Sequence, residues 1–134
     1  MIKFILGRYH DLENDEPSFR RLTGMKLKEF EQLHHYFKND LEHYFSQFTL
    51  EGIARTRQIS NRKNSIFTDS RDALLFVLIY RNGMARQAEL ALLFEIDQPK
   101  VSKYINFLQK ILYQTIATHP RAMSRHRKEQ FLTK

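Results

Sequence analysis

Residues 87–106 read QAELALLFEIDQPKVSKYIN, and this stretch decides the fold that the sequence predicts. Apolar residues recur in it at helical spacing on both sides of a short interruption at residues 95–97. Ala91 is a small residue at the point where a second helix would cross the first closely. Asp97 stands where an N-cap is expected, and Pro99 is tolerated in a first helical turn, whose N–H groups have no partner inside the helix. The stretch therefore predicts a helix-turn-helix.

Four polar residues stand on the first turns of the second helix of this motif: Gln98, Lys100, Ser102 and Lys103. A Gln side chain bonds an adenine edge through two atoms, and Lys reaches O6 or N7 of guanine. Ser102 lies to the side and suits a phosphate or a sugar. We therefore predict that this helix binds double-stranded DNA as a recognition helix. The alternative is a plain helical hairpin within a bundle.

The turn of the motif carries one unusual residue. The position four after Ala91 is often Gly, because Gly adopts a positive φ without steric cost. Here that position is Glu95. A side chain in this conformation costs about 1 kcal/mol, so we expect a slightly altered turn. The Glu95 carboxylate also places a negative charge near the expected DNA face.

A buried central helix is predicted just before the motif. Residues 73–80, ALLFVLIY, are apolar on all sides of a helix. Residues 68–70 offer an N-cap, Asp72 favours the helix dipole in the first turn, and Asn82 with Gly83 ends the helix. We expect four of its side chains to be buried by both the first long helix and the helix-turn-helix: Leu75, Phe76, Leu78 and Ile79.

Two longer amphipathic helices are predicted on either side of the central one. From Leu27 to Phe48, apolar residues recur in steps of three and four, and their aromatic stripe is expected in the core. The last helix extends from near Asp97 to Thr118 and has two apolar stripes. Val101, Ile105, Leu108 and Leu112 form the first stripe, and Tyr104, Phe107 and Ile111 form the second. The second stripe meets either the long first helix or another subunit of a homodimer.

Positive charge is concentrated in the second part of the chain. Residues 1–51 hold seven basic and nine acidic residues, residues 52–134 hold 15 basic and six acidic, and the whole chain carries +7. This asymmetry indicates an anionic partner. Residues 52–64 contain no acid and four basic side chains: Arg55, Arg57, Arg62 and Lys63. We interpret this segment as an exposed linker that contacts DNA phosphates or a minor groove, with a solvated loop as the alternative.

The composition excludes several classes of site. The chain of 134 residues has no Cys, so disulfides, thiolate metal sites and thiol catalysis are excluded. Its longest apolar run, residues 73–80, is too short to span a membrane, and the run at residues 2–6 is too short for a signal peptide. No glycine-rich phosphate loop or nucleophile elbow is present. We expect a cytoplasmic protein, nucleoid-associated if bacterial, that is not an enzyme and uses no cofactor.

Three histidines fall on or near the first long helix: His34, His35 and His43. His34 and His43 are nine residues apart, which is about 13 Å along an α-helix, so they do not converge on a metal ion. We expect all three at the surface or rim of the protein, and no metal site.

The patterns divide the chain into three parts. Residues 1–18 are expected to form an N-terminal arm that ends in an acidic turn. Residues 19–118 are expected to form an all-α helical bundle that contains the helix-turn-helix. Residues 119–134 are basic and weakly periodic, and we expect a frayed tail there.

Several stretches of the chain resemble the N-terminal DNA-binding domain of insertion-sequence DDE transposases. The resemblance covers about residues 18–118 and is carried by FRRLTGM and KLKEFEQL at residues 19–33, DALLFVLIY at 72–80, QAELALLF at 87–94 and IDQPKVSKYI at 96–105. No single motif is specific, and the order and spacing of all of them carry the resemblance.

The resemblance implies an α-helical module that binds transposon-end DNA. In such transposases a catalytic RNase H-like domain with a metal-binding acidic triad follows. Sixteen residues follow Thr118 in this sequence, too few for such a domain, so we expect DNA binding without strand cleavage. Two alternatives remain open: a transcription regulator unrelated to transposition, and a protein-interaction module that uses the aromatic first helix.

Overall fold

The computed structural model describes residues 9–47 and 69–132 of the chain. Within these ranges every regular element is a helix, in the order α1 (Tyr9–Leu12), α2 (Glu16–Thr23), α3 (Leu27–Gln47), α4 (Ser70–Arg81), α5 (Gln87–Phe94), α6 (Gln98–Thr118) and α7 (Arg125–Leu132). The predicted all-α bundle is therefore confirmed.

Helix α4 begins and ends at local signals that the sequence contains. The Asp69 side chain accepts a hydrogen bond of 2.9 Å from the backbone N–H of Arg71, which satisfies one of the free donors of the first turn. Asn82 caps the other end, and Gly83 then turns the chain with a φ of 74°. Both predicted ends of the central helix are confirmed.

The α4 helix is enclosed by its neighbours on every side. Residues 73–79 are at most 1% exposed, because α2, α3, α5 and α6 all pack against them. The ring of Phe76 meets that of Phe94 on α5 at 4.9 Å and that of Tyr104 on α6 at 6.4 Å. The prediction that Leu75, Phe76, Leu78 and Ile79 are buried is confirmed.

Helices α3 and α6 lie antiparallel beside α4. The Thr115 hydroxyl donates a hydrogen bond of 2.6 Å to Asp40. Two turns earlier on α6, the ring of Phe107 lies further along α3, with its centre 4.8 Å from that of Tyr44 and 4.9 Å from that of Phe45. The second apolar stripe of α6 therefore packs against α3 within the same chain. Of the two packing modes predicted for that stripe, the structure shows the intramolecular one.

The N-terminal residues differ from the predicted arm. Asp15 caps α2, and Leu12 and Phe19 are fully buried. Tyr9 stacks on Phe30 of α3 at 5.3 Å, and its backbone N–H donates a hydrogen bond of 2.7 Å to the buried Asp72 of α4. Residues 9–18 are therefore part of the bundle, because their few apolar side chains fill its core. The first eight residues lie outside the described ranges.

The C-terminal residues differ from the predicted tail. Ala122 and Met123 are buried just before α7, and the Arg127 guanidinium donates a hydrogen bond of 3.0 Å to the backbone carbonyl of Gly24. At the other end of α7, the Arg81 guanidinium lies 4.3 Å from the centre of the Phe131 ring. These anchors are spaced too irregularly along the chain to produce a helical period, so the sequence pattern did not reveal them.

His34 also differs from the prediction, because it is buried and not at the rim. Its Nε2 lies 2.7 Å from the Ser70 hydroxyl at the start of α4, and its ring lies parallel to that of Phe30. Burial lowers the pKa of His34, and the nearby Arg71 guanidinium lowers it further, while Glu31 and Asp69 oppose the shift. His35 and His43 are exposed, as predicted.

The enclosure of α4 predicts a large loss of stability on truncation of its core residues. We expect Phe76→Ala or Leu78→Ala to lower the free energy of unfolding by about 2–5 kcal/mol, since each leaves a cavity between four helices. Leu92→Ala is the matched control, because Leu92 is 80% exposed and its loss removes little buried contact. Chemical denaturation measures all three. An unchanged transition for both α4 variants would contradict this packing.

The buried His34 predicts a pH-dependent loss of stability. Its pKa is lower in the folded protein than in the unfolded chain, so only the unfolded chain gains a proton as the pH falls below about 6.5. We expect the stability present above that pH to decline down to the folded-state pKa. His34→Gln, measured by urea denaturation between about pH 8 and 5, should show a smaller decline than the wild type. His35→Gln is the control, and a decline identical in all three proteins would contradict the assignment.

Candidate nucleic-acid interface

Helices α5 and α6 form the helix-turn-helix arrangement that the sequence predicts. They are joined by the three residues 95–97 and pack against each other, and Leu90, Phe94, Val101 and Ile105 are buried. Ala91 is half-buried. The packing against α4 holds both helices in place, so the first turns of α6 are presented on a rigid support.

The turn between α5 and α6 stores backbone strain at Glu95. This residue has φ 58° and ψ 49°, and it is the one residue other than Gly with positive φ in the described ranges. The backbone N–H of Ile96 donates a hydrogen bond of 3.0 Å to the Ala91 carbonyl, and the N–H of Glu95 reaches the same oxygen. The turn therefore keeps its usual left-handed geometry, although the sequence suggested that it would be altered.

The N-terminus of α5 carries an exposed cation. The Glu89 carboxylate accepts a hydrogen bond of 2.7 Å from the backbone N–H of Arg86, which closes the first turn. The Arg86 side chain is 90% exposed and passes Glu89 at 4.0 Å. Arg86 therefore adds an exposed positive charge at the N-terminus of α5.

The N-terminus of α6 is capped differently from the prediction. Asp97 occupies the N-cap position, but its side chain makes no capping hydrogen bond. An N-cap side chain accepts from the N–H of the second or third helical residue, and the second is Pro99, which has none. The Asp97 carboxylate is instead exposed at the start of the predicted recognition helix.

The predicted DNA-contacting residues of α6 share its exposed side. Gln98, Lys100 and Lys103 are exposed, and Ser102 is half-buried. At 3.6 residues per turn, Gln98 and Ser102 lie along one edge of this exposed side, Lys100 lies along the other, and Lys103 lies between them. Val101, on the opposite side of α6, is fully buried in the core. The four side chains therefore form one surface about half a helix turn wide.

Sequence reasoning missed the continuation of this surface along α6. Three exposed polar residues follow Lys103 at successive steps of three, four and four residues: Asn106, Lys110 and Gln114. The steps place them on the same face as Lys103. The signal was present in the sequence as a polar stripe opposite the two apolar ones. Only the packing of α3 and α4 shows that this side of α6 is uncovered within the described residues.

The four basic residues of the predicted linker, Arg55, Arg57, Arg62 and Lys63, lie outside the described ranges. The linker follows α3, whose last turns contact Phe107 of α6 through Tyr44 and Phe45. Its predicted contact with phosphates remains a prediction.

The helix-turn-helix carries little net charge. Residues 86–110 hold four basic and three acidic side chains, and the acids are Glu89, Glu95 and Asp97. Positive side chains dominate the exposed side of α6, whereas the acids lie on α5 and in the turn. In the described ranges, no cluster of three or more His, Asp or Glu side chains is arranged to hold a metal ion. No helix there is long and apolar enough to cross a membrane.

The left-handed conformation of Glu95 predicts that Gly is better tolerated at this position. We expect Glu95→Gly to raise the free energy of unfolding by up to about 1 kcal/mol, because Gly relieves the steric cost. Glu95→Val should destabilise, since a β-branched residue avoids positive φ. Glu95→Gln is the control, because it removes the charge and keeps the strain. The same stability for the Gly and Gln variants would contradict a strained turn.

No protein-family model, curated protein or solved structure matches this chain. Its function is therefore argued from its own residues.

Proposed function

We propose that this protein binds double-stranded DNA through the exposed side of α6. The observation that supports the proposal is the presentation of Gln98, Lys100 and Lys103 on the first turns of a helix that is held rigidly by α4 and α5. A recognition helix of this kind contacts base edges with its N-terminal residues. Its side chains are the types that bond purine edges in the major groove.

The neighbouring elements are suited to hold the DNA backbone. Arg86 at the start of α5 and Ser102 at the edge of α6 have side chains that suit phosphate or sugar groups. The linker residues Arg55, Arg57, Arg62 and Lys63 add phosphate contacts in this proposal. Glu95 and Asp97 would repel phosphates, so they restrict the positions in which a duplex docks.

The biological role that we propose is that of the DNA-recognition part of a transposase, or of a truncated transposase-derived regulator. The sequence resemblance over residues 18–118 supports this role. A derivative without a catalytic domain would occupy the ends of the element or repress its promoter, without cutting. This proposal places the protein in the cytoplasm, at the nucleoid if it is bacterial.

A transcription regulator unrelated to transposition would use the same α6 surface. The two roles differ in the sequence that is bound and not in the structure of the protein. Selection of bound sequences from a random pool distinguishes them, because one role predicts inverted element ends and the other an unrelated promoter.

A protein-interaction module is the second candidate function, and one observation favours it. Leu92 on α5 is 80% exposed and Met84 before α5 is 42% exposed. By contrast, the aromatic stripe of α3 is used inside the protein, because Phe30 and Phe37 are fully buried. A partner would therefore contact α5 and not α3. Gel shifts with random duplex separate this candidate from DNA binding.

The DNA-binding proposal is tested by single substitutions on α6. We expect Gln98→Ala, Lys100→Ala and Lys103→Ala each to lose about 1–3 kcal/mol of affinity for the preferred site and less for random duplex. The reason is that a lost base contact affects one sequence, whereas a lost phosphate contact affects all sequences equally. The measurement is the ratio of specific to non-specific affinity at one fixed salt concentration.

Lys38→Ala is the control for charge, because Lys38 is an exposed lysine on α3 and not on α6. It should leave the ratio of affinities unchanged. If all three α6 variants also keep the wild-type ratio, then α6 does not read sequence. If the wild type binds no duplex at all, the protein-interaction function replaces this one.

A further inference from the structure

Two segments outside the helix-turn-helix carry much of the positive charge of the described residues. Residues 16–29 and 119–132 together hold eight basic and three acidic side chains, a net charge of +5 within a chain of +7. We call the surface they form the α2–α7 basic surface. Its exposed or half-buried cations are Arg20, Arg21, Lys26, Lys28, Arg121, Arg125, Arg127 and Lys128.

Tertiary contacts join the two segments. Arg127 of α7 donates a hydrogen bond of 3.0 Å to the carbonyl of Gly24, which ends α2, and its guanidinium lies 3.5 Å from Glu29 of α3. The side chain of Gln32 on α3 donates a hydrogen bond to the backbone carbonyl of Arg121. The end of α2, the start of α3 and the start of α7 therefore lie side by side.

Most of the acidic charge on this face is already engaged. Glu16 accepts a hydrogen bond of 3.0 Å from the backbone N–H of Leu27, and Glu29 accepts one of 3.0 Å from that of Lys26 as well as pairing with Arg127. These carboxylates stabilise the start of α3. Arg20, Arg121 and Arg125 extend from the face and are exposed.

The α7 part of the α2–α7 basic surface lies at the opposite end of α6 from the predicted base contacts. Lys128 donates a hydrogen bond of 3.3 Å to the carbonyl of His119, the residue that ends α6, so α7 starts beside that end. The 21 residues of α6 span about 30 Å. Because the proposed base contacts lie on the first turns of α6, its C-terminal end lies beyond those contacts.

The chemistry of this surface suits a sequence-independent contact with phosphates. Five of its eight cations are arginines, whose planar guanidinium groups bind phosphate oxygens through two parallel hydrogen bonds. The six exposed cations are spread over α2, the start of α3 and residues 121–125. This spread favours the extended backbone of a duplex over a small anion.

We propose that the α2–α7 basic surface binds the phosphate backbone of a second DNA duplex, so that one protein molecule bridges two duplexes. This inference depends on the proposed function, because the first duplex is the one held by α6. It adds a second, non-specific contact that includes α7, beside the C-terminal end of the same helix.

The test uses the full chain, one duplex with the preferred site fixed to beads, and a second, fluorescent duplex of random sequence. We expect the wild type to retain the second duplex on the beads. Arg20→Ser combined with Arg125→Ser should still bind the immobilised site but retain less of the second duplex. The slope of log K against log salt for the second duplex should fall by about 1.8, since each lost phosphate contact contributes roughly 0.9. Sedimentation must show a monomer at the concentration used.

A matched variant removes the same number of charges at the other end of α6. Lys100→Ser combined with Lys103→Ser should weaken binding to the immobilised site itself. Lys38→Ser should change neither contact. Circular dichroism melts confirm that each variant is folded, and all five substituted residues are exposed, so folding should persist.

Several results would overturn the proposal. If the arginine variant retains as much of the second duplex as the wild type, Arg20 and Arg125 do not bind that duplex. Wild-type binding to one duplex, with no second duplex retained, would overturn bridging and leave the proposed function intact. Arginine-dependent binding to phosphatidylglycerol vesicles without retention of a second duplex would assign the surface to a membrane. Failure to bind any duplex would overturn both proposals.

Discussion

The complete burial of α4 is the constraint on which the rest of the structure depends. A helix that is apolar on every face costs free energy wherever it is exposed to water, so other helices must cover each of its faces. Here α2, α3, α5 and α6 do so. The antiparallel arrangement of α3 and α6, the position of α5 and the docking of the N-terminal residues all follow from the need to enclose Leu74 to Ile79.

This enclosure also determines what α6 offers to solvent. The side of α6 that carries Val101, Ile105 and Leu112 packs inward, so the opposite side remains polar and uncovered in the described part of the chain. The backbone strain at Glu95 is tolerated because the buried Leu90 and Phe94 stabilise the packing of α5 against α4. The candidate interface is therefore rigid because its other side is core.

Much of the fold and part of the candidate site were predictable. Periodicity and capping residues predicted α3, α4, α5 and α6 closely, because these signals act between residues a few positions apart. The exposure of Gln98, Lys100 and Lys103 followed from the same pattern. The burial of His34 did not, because its ring lies beside Phe30 and its polar partner is Ser70, 36 positions away. The docking of α7 was missed because its anchors have no regular spacing.

The sequence by itself determined which side of each long helix is apolar, where the helices begin and end, and that residues 95–97 form a turn. Only the tertiary structure decided where the positive charge is gathered. Counted along the chain, residues 1–51 are slightly acidic, yet the end of α2, which carries Arg20 and Arg21, lies beside Arg127 of the basic α7. The physical reason is that periodicity reports the local face of a helix. Which distant segments meet depends on how several helices together exclude water from one shared core.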